Sequence, residues 1–128
     1  MLDFDVIVIG AGPSGLCFAR ALAGSGLRIA LVEAQTAALL GAPELDGREI
    51  ALTEHSVALL QQLDVWPRIP SDQRHPLRAA KVLNGNAASG FDVASGASAQ
   101  LGWLVPNHLI RRAVASRTNT SCIIGQRC

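Results

Sequence analysis

An α/β fold built on a parallel sheet is what this sequence predicts, and three stretches near its start predict it. Phe4–Ile9 is a short continuous run of apolar, mostly β-branched residues ended by Gly10, which is how a strand buried on both faces of a sheet reads. From Ser14 to Ala23, Leu16, Ala19 and Ala23, with Phe18 and Leu22, recur at helical spacing, and Gly24-Ser25-Gly26 closes the element. Arg28–Val32 (RIALV) is a second apolar strand. Strand, helix and strand together occupy the roughly 30 residues of a βαβ unit. The expected architecture is therefore Rossmann-like.

Pro13 suits the first turn of that helix, where its missing N–H has no partner to lose. Gln35–Glu44 is Ala/Leu-rich but broken by Gly41 and Pro43, so a weak helix running into a loop is expected. A short apolar run, Ile50–Leu52, precedes a helix from about Glu54 to Leu63, with Thr53 as its N-cap. Pro67–Pro76 holds three prolines and mixed charges and reads as a surface loop. Arg78–Asn84 reads as a strand, Asn84-Gly85 as a turn, and Phe91 with Val93 as its partner strand. Trp103–Val105 is a further brief strand and Asn107–Ser116 a helix. The tail Asn119–Cys128 (NTSCIIGQRC) reads as one more strand leading into a glycine turn. A parallel sheet needs a crossover after such a strand, so residues 1–128 are expected to be a truncated, N-terminal part of a longer domain.

Bulk properties narrow the class. A chain of 128 residues suffices for one small domain with a real core. At 49% hydrophobic and 16% charged residues it is globular rather than disordered. A net charge of +1 with no basic block gives no footprint for nucleic acid or an acidic membrane. Cys17, Cys122 and Cys128 are odd in number and lack metal-like spacing, which points to a reduced, cytoplasmic setting without disulfides or zinc. The acidic start MLDFD does not resemble a secretory signal. Pro13, Arg20, Arg28 and several glycines interrupt Val6–Val32 short of the ~20 apolar residues that a membrane span needs. Peripheral membrane contact stays open.

Gly10-Ala11-Gly12-Pro13-Ser14-Gly15 fits G-x-G-x-x-G between the first strand and helix. Gly10 permits a tight turn, Gly12 lets backbone approach a pyrophosphate, and Gly15 lets helix and strand pack closely. The helix start, at Pro13 and Ser14, offers unpaired N–H groups and partial positive charge to a diphosphate. Glu33, ending the second strand, can accept both hydroxyls of an adenosine ribose and would repel a 2′-phosphate, so this pocket is not one for NADP. Such a turn alone is also what an ordinary strand-to-helix connection looks like. The flanking elements and Glu33 favour the dinucleotide, and the first 33 residues leave FAD and NAD equally open.

The longer stretches DVIVIGAGPSGLCFARALAGSGLRIALVE, DGREIALT (Asp46–Thr53) and LGWLVPNHLIRRAV (Leu101–Val114), in that order, resemble the N-terminal region of flavin-dependent aromatic hydroxylases, nearest the ubiquinone-biosynthesis branch. The resemblance implies FAD as cofactor, NAD(P)H as co-substrate, O2 as oxidant and a small aromatic substrate. It implies that Gly10, Gly12, Gly15 and Glu33 hold the ADP half. Arg48 would lie along the FAD, where its fixed cationic fork suits phosphate or flavin-edge contacts, and Asn107 and Arg111 would face the extended cofactor. Family members continue into a second flavin-contacting segment with a GD pair and a sheet over the substrate, neither of which occurs after Arg48 here. Membrane or biosynthetic-complex association would belong to the full-length parent.

Each of these residues also has a plainer role open to it. Arg48 could be a solvated loop residue, Asn107 an N-cap, and one of Arg111 and Arg112 a solvent-facing helix residue. His55 and His108 are expected on helix surfaces, Cys17 as a small buried hydrophobe, and Trp66 and Trp103 in or beside the core. No catalytic acid or base can be named. The rival functions are an inactive dinucleotide-binding module and the NAD-binding domain of a dehydrogenase.

Overall fold

The computed structural model describes residues 3–86, 90–94, 100–116 and 123–125. The expected βαβ unit is there. β1 (Val6–Ile9) leads into α1 (Pro13–Ala21), which returns to β2 (Ile29–Glu33). β1 and β2 are parallel, with Val6 opposite Ile29 and Ile9 opposite Val32. Gly24 and Gly26 take positive φ in the return after α1, a conformation that side chains resist. The tail strand, β8 (Ile123–Gly125), also forms, parallel to β2 on its other edge. The sheet order is therefore β1-β2-β8, with β2 central.

Burial follows that order and corrects one expectation. Ile29, Ala30 and Leu31 of β2 are buried, as a central strand requires, whereas Ile7 and Ile9 of β1 are 62% and 85% exposed. Among the described residues β1 pairs with β2 alone. One edge of β1 is thus open, and the face carrying Ile7 and Ile9 is uncovered. Its apolar run reads as buried on both faces because sequence records what a strand can bury, not what lies beside it.

The middle of the chain adds antiparallel pairing. α2 (Ala37–Gly41) is the short helix expected before Pro43. β3 (Glu49–Leu52) precedes α3 (Glu54–Gln62), where the Thr53 side chain accepts a hydrogen bond from the Ser56 N–H at 3.2 Å, so the expected N-cap is real. Pro67–Pro76 is not simply a surface loop. It folds into two single-turn 3-10 helices, Trp66–Arg68 and Ser71–Gln73, followed by β4 (His75–Leu77). Ile69 lies in the core beside Val65 and Trp66, and Arg74 donates to the Ile69 carbonyl. The prolines suit these turns, while Ile69, the apolar residue between Pro67 and Pro70, is fully buried. β5 (Ala79–Leu83) and β6 (Gly90–Ala94) pair antiparallel as expected. β7 (Gly102–Pro106) lies between β3 and β4, antiparallel to both. Gly102 is required there, because a Cβ would collide with the Leu52 carbonyl.

α4 (Asn107–Ala115) packs on α1 and joins the β1-β2-β8 and β3-β7-β4 sheets into one core. Leu31, Val65, Ile69, Val105, Ile110 and Val114 are its largest fully buried side chains, each contributing on the order of 2 kcal/mol relative to exposure. Trp66 and Trp103 meet edge to face with centroids 5.8 Å apart, and the Arg74 guanidinium sits 4.7 Å over the Trp66 ring. Trp66 lies in the core and Trp103 packs against it, as expected. Cys17 is half-buried, and burial pushes its thiol pKa up, which makes it less reactive. Cys122 and Cys128 lie outside the described residues.

Candidate functional site

The glycine turn is a backbone device in which each glycine has a different reason. Gly10 has φ +95°. At Gly15 a Cβ would collide with the Gly10 carbonyl oxygen, so α1 could not approach β1. Gly12 is different. Its φ of −71° and ψ of 176° suit any residue, and a Cβ there would meet no protein atom within 4 Å. Among the described residues nothing would feel the added atom, so their packing does not require a glycine at that position. Pro13 and Ser14 open α1, where first-turn N–H groups lack intrahelical partners.

Glu33 ends β2 directly beside this turn. Its Oε2 accepts the Ala11 N–H at 2.7 Å and its Oε1 accepts the Gln35 N–H at 3.0 Å. These bonds hold its carboxyl below the usual range, with a smaller contribution from the Arg111 charge. A carboxylate has about four lone-pair sites, so each oxygen keeps one for a further donor.

A second wall comes from residues far away in sequence. At Asp46-Gly47-Arg48 the Asp46 Oδ1 accepts the Arg48 N–H at 3.1 Å, closing the turn. Asp46 Oδ2 accepts Arg48 Nε at 3.0 Å, Arg48 Nη2 at 2.7 Å and Asn107 Nδ2 at 2.6 Å. The Asn107 backbone N–H donates to the Arg48 carbonyl at 2.9 Å. Asn107 is 3% exposed. It stands inside the first turn of α4, with Pro106 at the N-cap position, so it does not cap the helix. Hydrogen bonds from Asn107 and Arg48 drive the Asp46 carboxyl far below the ordinary carboxylate range.

One helical turn on, Arg111 shares a face with Asn107. Its Nη2 donates to Gln35 Oε1 at 2.6 Å, and its buried Nε has no hydrogen-bond partner among the described residues. Arg112 is exposed. Gln35, Asp46, Arg48 and Arg111 border a polar cavity of about 580 Å³. An apolar cavity of about 470 Å³ runs between α1 and α3, lined by Pro13, Ser14, Cys17, Phe18, Leu59 and Leu63 among others.

The expected site residues thus fall into groups: Gly10–Gly15 with Glu33, Arg48 with Asn107, and Arg111 beside Gln35. Sequence reading missed Asp46 and Gln35. Asp-Gly-Arg signals a local Asp-led turn, but nothing local signals a bond to a residue in another helix. His55 and His75 are exposed. His108 corrects its expectation, being half-buried with a buried Nδ1 that has no hydrogen-bond partner among the described residues. Among the described residues no cluster of His, Cys, Asp or Glu could hold a metal, and no helix is long and apolar enough to cross a membrane.

Comparison with known proteins identifies the family. Residues 3–126 match the family model described as FAD binding domain. Ubiquinone hydroxylase UbiM of Neisseria meningitidis is 46% identical over 118 residues, 88% of this chain and 26% of that protein. Ubiquinone hydroxylase UbiL of Rhodospirillum rubrum is 27% identical over 114 residues, again 88% and 26% of the two chains. The chain therefore spans about a quarter of these relatives' length. Among solved structures, a variant of P. aeruginosa PqsL superposes with TM-score 0.66 at 17% identity, over 96% of this chain and 33% of that one. A flavoprotein/dehydrogenase from Cytophaga hutchinsonii gives 0.62 at 22% identity, over 95% and 30%. These two likenesses concern the fold.

Proposed function

This chain belongs to the FAD binding domain family, and from that premise we propose that it is the FAD-holding part of a flavin-dependent monooxygenase acting on an aromatic ring. NAD(P)H and O2 are its co-substrates, and the ring is a ubiquinone precursor by analogy with the Neisseria relative. The reaction is cytoplasmic, and membrane or complex association belongs to the longer parent. The observation that carries the proposal is the 46% identity to a ubiquinone hydroxylase over 88% of this chain.

The residues present fit the cofactor. Open space over Gly12 is room for a diphosphate against bare backbone, and the first turn of α1 favours its negative charge. The free lone pairs of Glu33 suit the two ribose hydroxyls, while its charge repels a 2′-phosphate. Arg48, Asn107 and Arg111 line the path beyond the diphosphate and supply donors to the rest of the molecule. When bound, the flavin supplies the redox and oxygen chemistry; this chain's residues bind and orient it. The role of Arg48 favours FAD over NAD, because a second polar wall beyond the adenosine site suits the longer cofactor.

Titrating FAD into the purified chain, followed by flavin fluorescence, tests the binding. Saturable binding that ADP displaces is expected, and a chain indifferent to FAD would overturn the proposal. The hydroxylase step is tested with the full-length parent: an aromatic precursor and NAD(P)H should yield a product one oxygen atom heavier by mass spectrometry. Cofactor oxidation without that product would refute it.

A further inference from the structure

Arg48 and Asn107 stand in the cofactor site in the proposal above, and on that basis we propose that Asp46 is the positioning residue that makes them one clamp for FAD. A negative charge near a diphosphate is at first sight unfavourable. The geometry gives it a reason. A single oxygen, Oδ2, receives Arg48 Nε, Arg48 Nη2 and Asn107 Nδ2 at 3.0, 2.7 and 2.6 Å. The Asn107 backbone N–H closes the ring onto the Arg48 carbonyl at 2.9 Å. Arg48 and Asn107 are thereby fixed relative to each other through one carboxylate, although Asn107 lies 61 positions from Asp46 in sequence.

The effect on Arg48 is orientational. Its side chain is 67% exposed, and a free arginine at such a site samples many rotamers, whose loss would oppose cofactor binding. Asp46 removes that freedom before the ligand arrives. Arg has five N–H donors; with one from Nε and one from Nη2 committed, about three remain for a cofactor. Asp46 also satisfies the amide of Asn107, the buried polar side chain at the start of α4, which would otherwise lack a partner. The same donors hold the Asp46 carboxyl well below the ordinary carboxylate range, so it is ionised at neutral pH. Preorganisation outweighs the added negative charge, since Arg48 neutralises that charge at contact distance.

Asp46→Asn separates the clamp from the turn. An asparagine carbonyl can still accept the Arg48 N–H and keep the turn, but its NH2 then faces the Arg48 and Asn107 donors. FAD affinity, by fluorescence titration of the whole chain, and melting temperature without cofactor are measured for D46N, for an Arg48→Ala/Asn107→Ala double variant and for the triple variant. D46N should melt within a few degrees of the parent and bind FAD about tenfold more weakly. In the double-variant background it should have no further effect. Wild-type affinity in D46N, or the same tenfold loss in both backgrounds, overturns the positioning role. If the double variant itself binds FAD as the parent does, the placement of Arg48 and Asn107 in the cofactor site fails, and the inference falls with it. Should D46N melt much lower, Asp46→Ser, whose hydroxyl can also close the turn, takes its place under the same criteria.

Discussion

The two walls of the site are built by opposite means. The glycine wall is local and made of backbone: Gly10 to Gly15 and Glu33 lie within one βαβ unit, and the decisive side chains there are mostly absent ones. The Asp46–Arg48–Asn107 wall is made of side chains and joins a turn to a helix 61 positions away. A wall of missing side chains tolerates almost nothing where the backbone touches itself. A wall of hydrogen-bonded side chains can lose one member and keep the fold. The contrast predicts where a substitution costs stability and where it costs binding alone.

Gly15→Ala should have the largest effect, because its Cβ would collide with the Gly10 carbonyl and push α1 from β1. A loss of roughly 3 kcal/mol or more is expected, read as a collapsed melting transition by circular dichroism. A Gly15→Ala chain as stable as the parent would show that the turn is not packed as described. Gly12→Ala, three residues earlier, sharpens the same point in reverse. With nothing within 4 Å of the added Cβ, the melt should stay put while FAD affinity falls by about tenfold or more, as expected when backbone loses close contact with a charged ligand.

Thr53→Ala lies outside both walls and serves as a yardstick. Removing the hydroxyl that caps α3 at Ser56 should cost about 1 kcal/mol and leave FAD binding unchanged; a change in binding would mean that α3 touches the cofactor. The smallest effect concerns Glu33 and pH. Its folded pKa is depressed by the Ala11 and Gln35 N–H groups. Its contribution to stability is therefore present above the ordinary Glu value of 4.5 and lost as pH falls through the lower, folded value. Glu33 is only half-buried, so the loss is small. Acid melts of the parent and of Glu33→Gln should converge below that window and diverge above it, with the parent more stable at neutral pH. Parallel curves throughout would contradict the hydrogen bonds assigned to Glu33.

The same contrast explains what sequence could disclose. The βαβ unit, Pro13 at the helix start, the Thr53 cap and even β8 were legible because each is written in neighbouring residues: apolar periodicity, a proline, a capping hydroxyl. The antiparallel β3-β7-β4 sheet was not, since strand pairing depends on which apolar runs meet in space. Ile69 hid inside a proline-rich segment whose composition resembles a loop. The exposure of Ile7 and Ile9 was invisible for a related reason: a β-branched run reports its capacity for burial, not what lies beside it. In the site, glycines and Glu33 carry a spacing rule that follows from phosphate geometry. Asn107 read equally well as a cap, and Asp46 went unnoticed, because an oxygen that joins a local donor to one 61 positions away leaves no periodic mark.

The central claim is that FAD lies across both walls, with its diphosphate over Gly12. Mapping backbone amide shifts of the isotopically labelled chain during an FAD titration tests it most directly. The largest changes should fall on Ala11, Gly12, Ser14, Gly15 and Glu33, with a second group at Arg48 and Asn107. Saturable binding that leaves Gly12 to Gly15 unshifted, and moves the apolar channel between α1 and α3 instead, would contradict it.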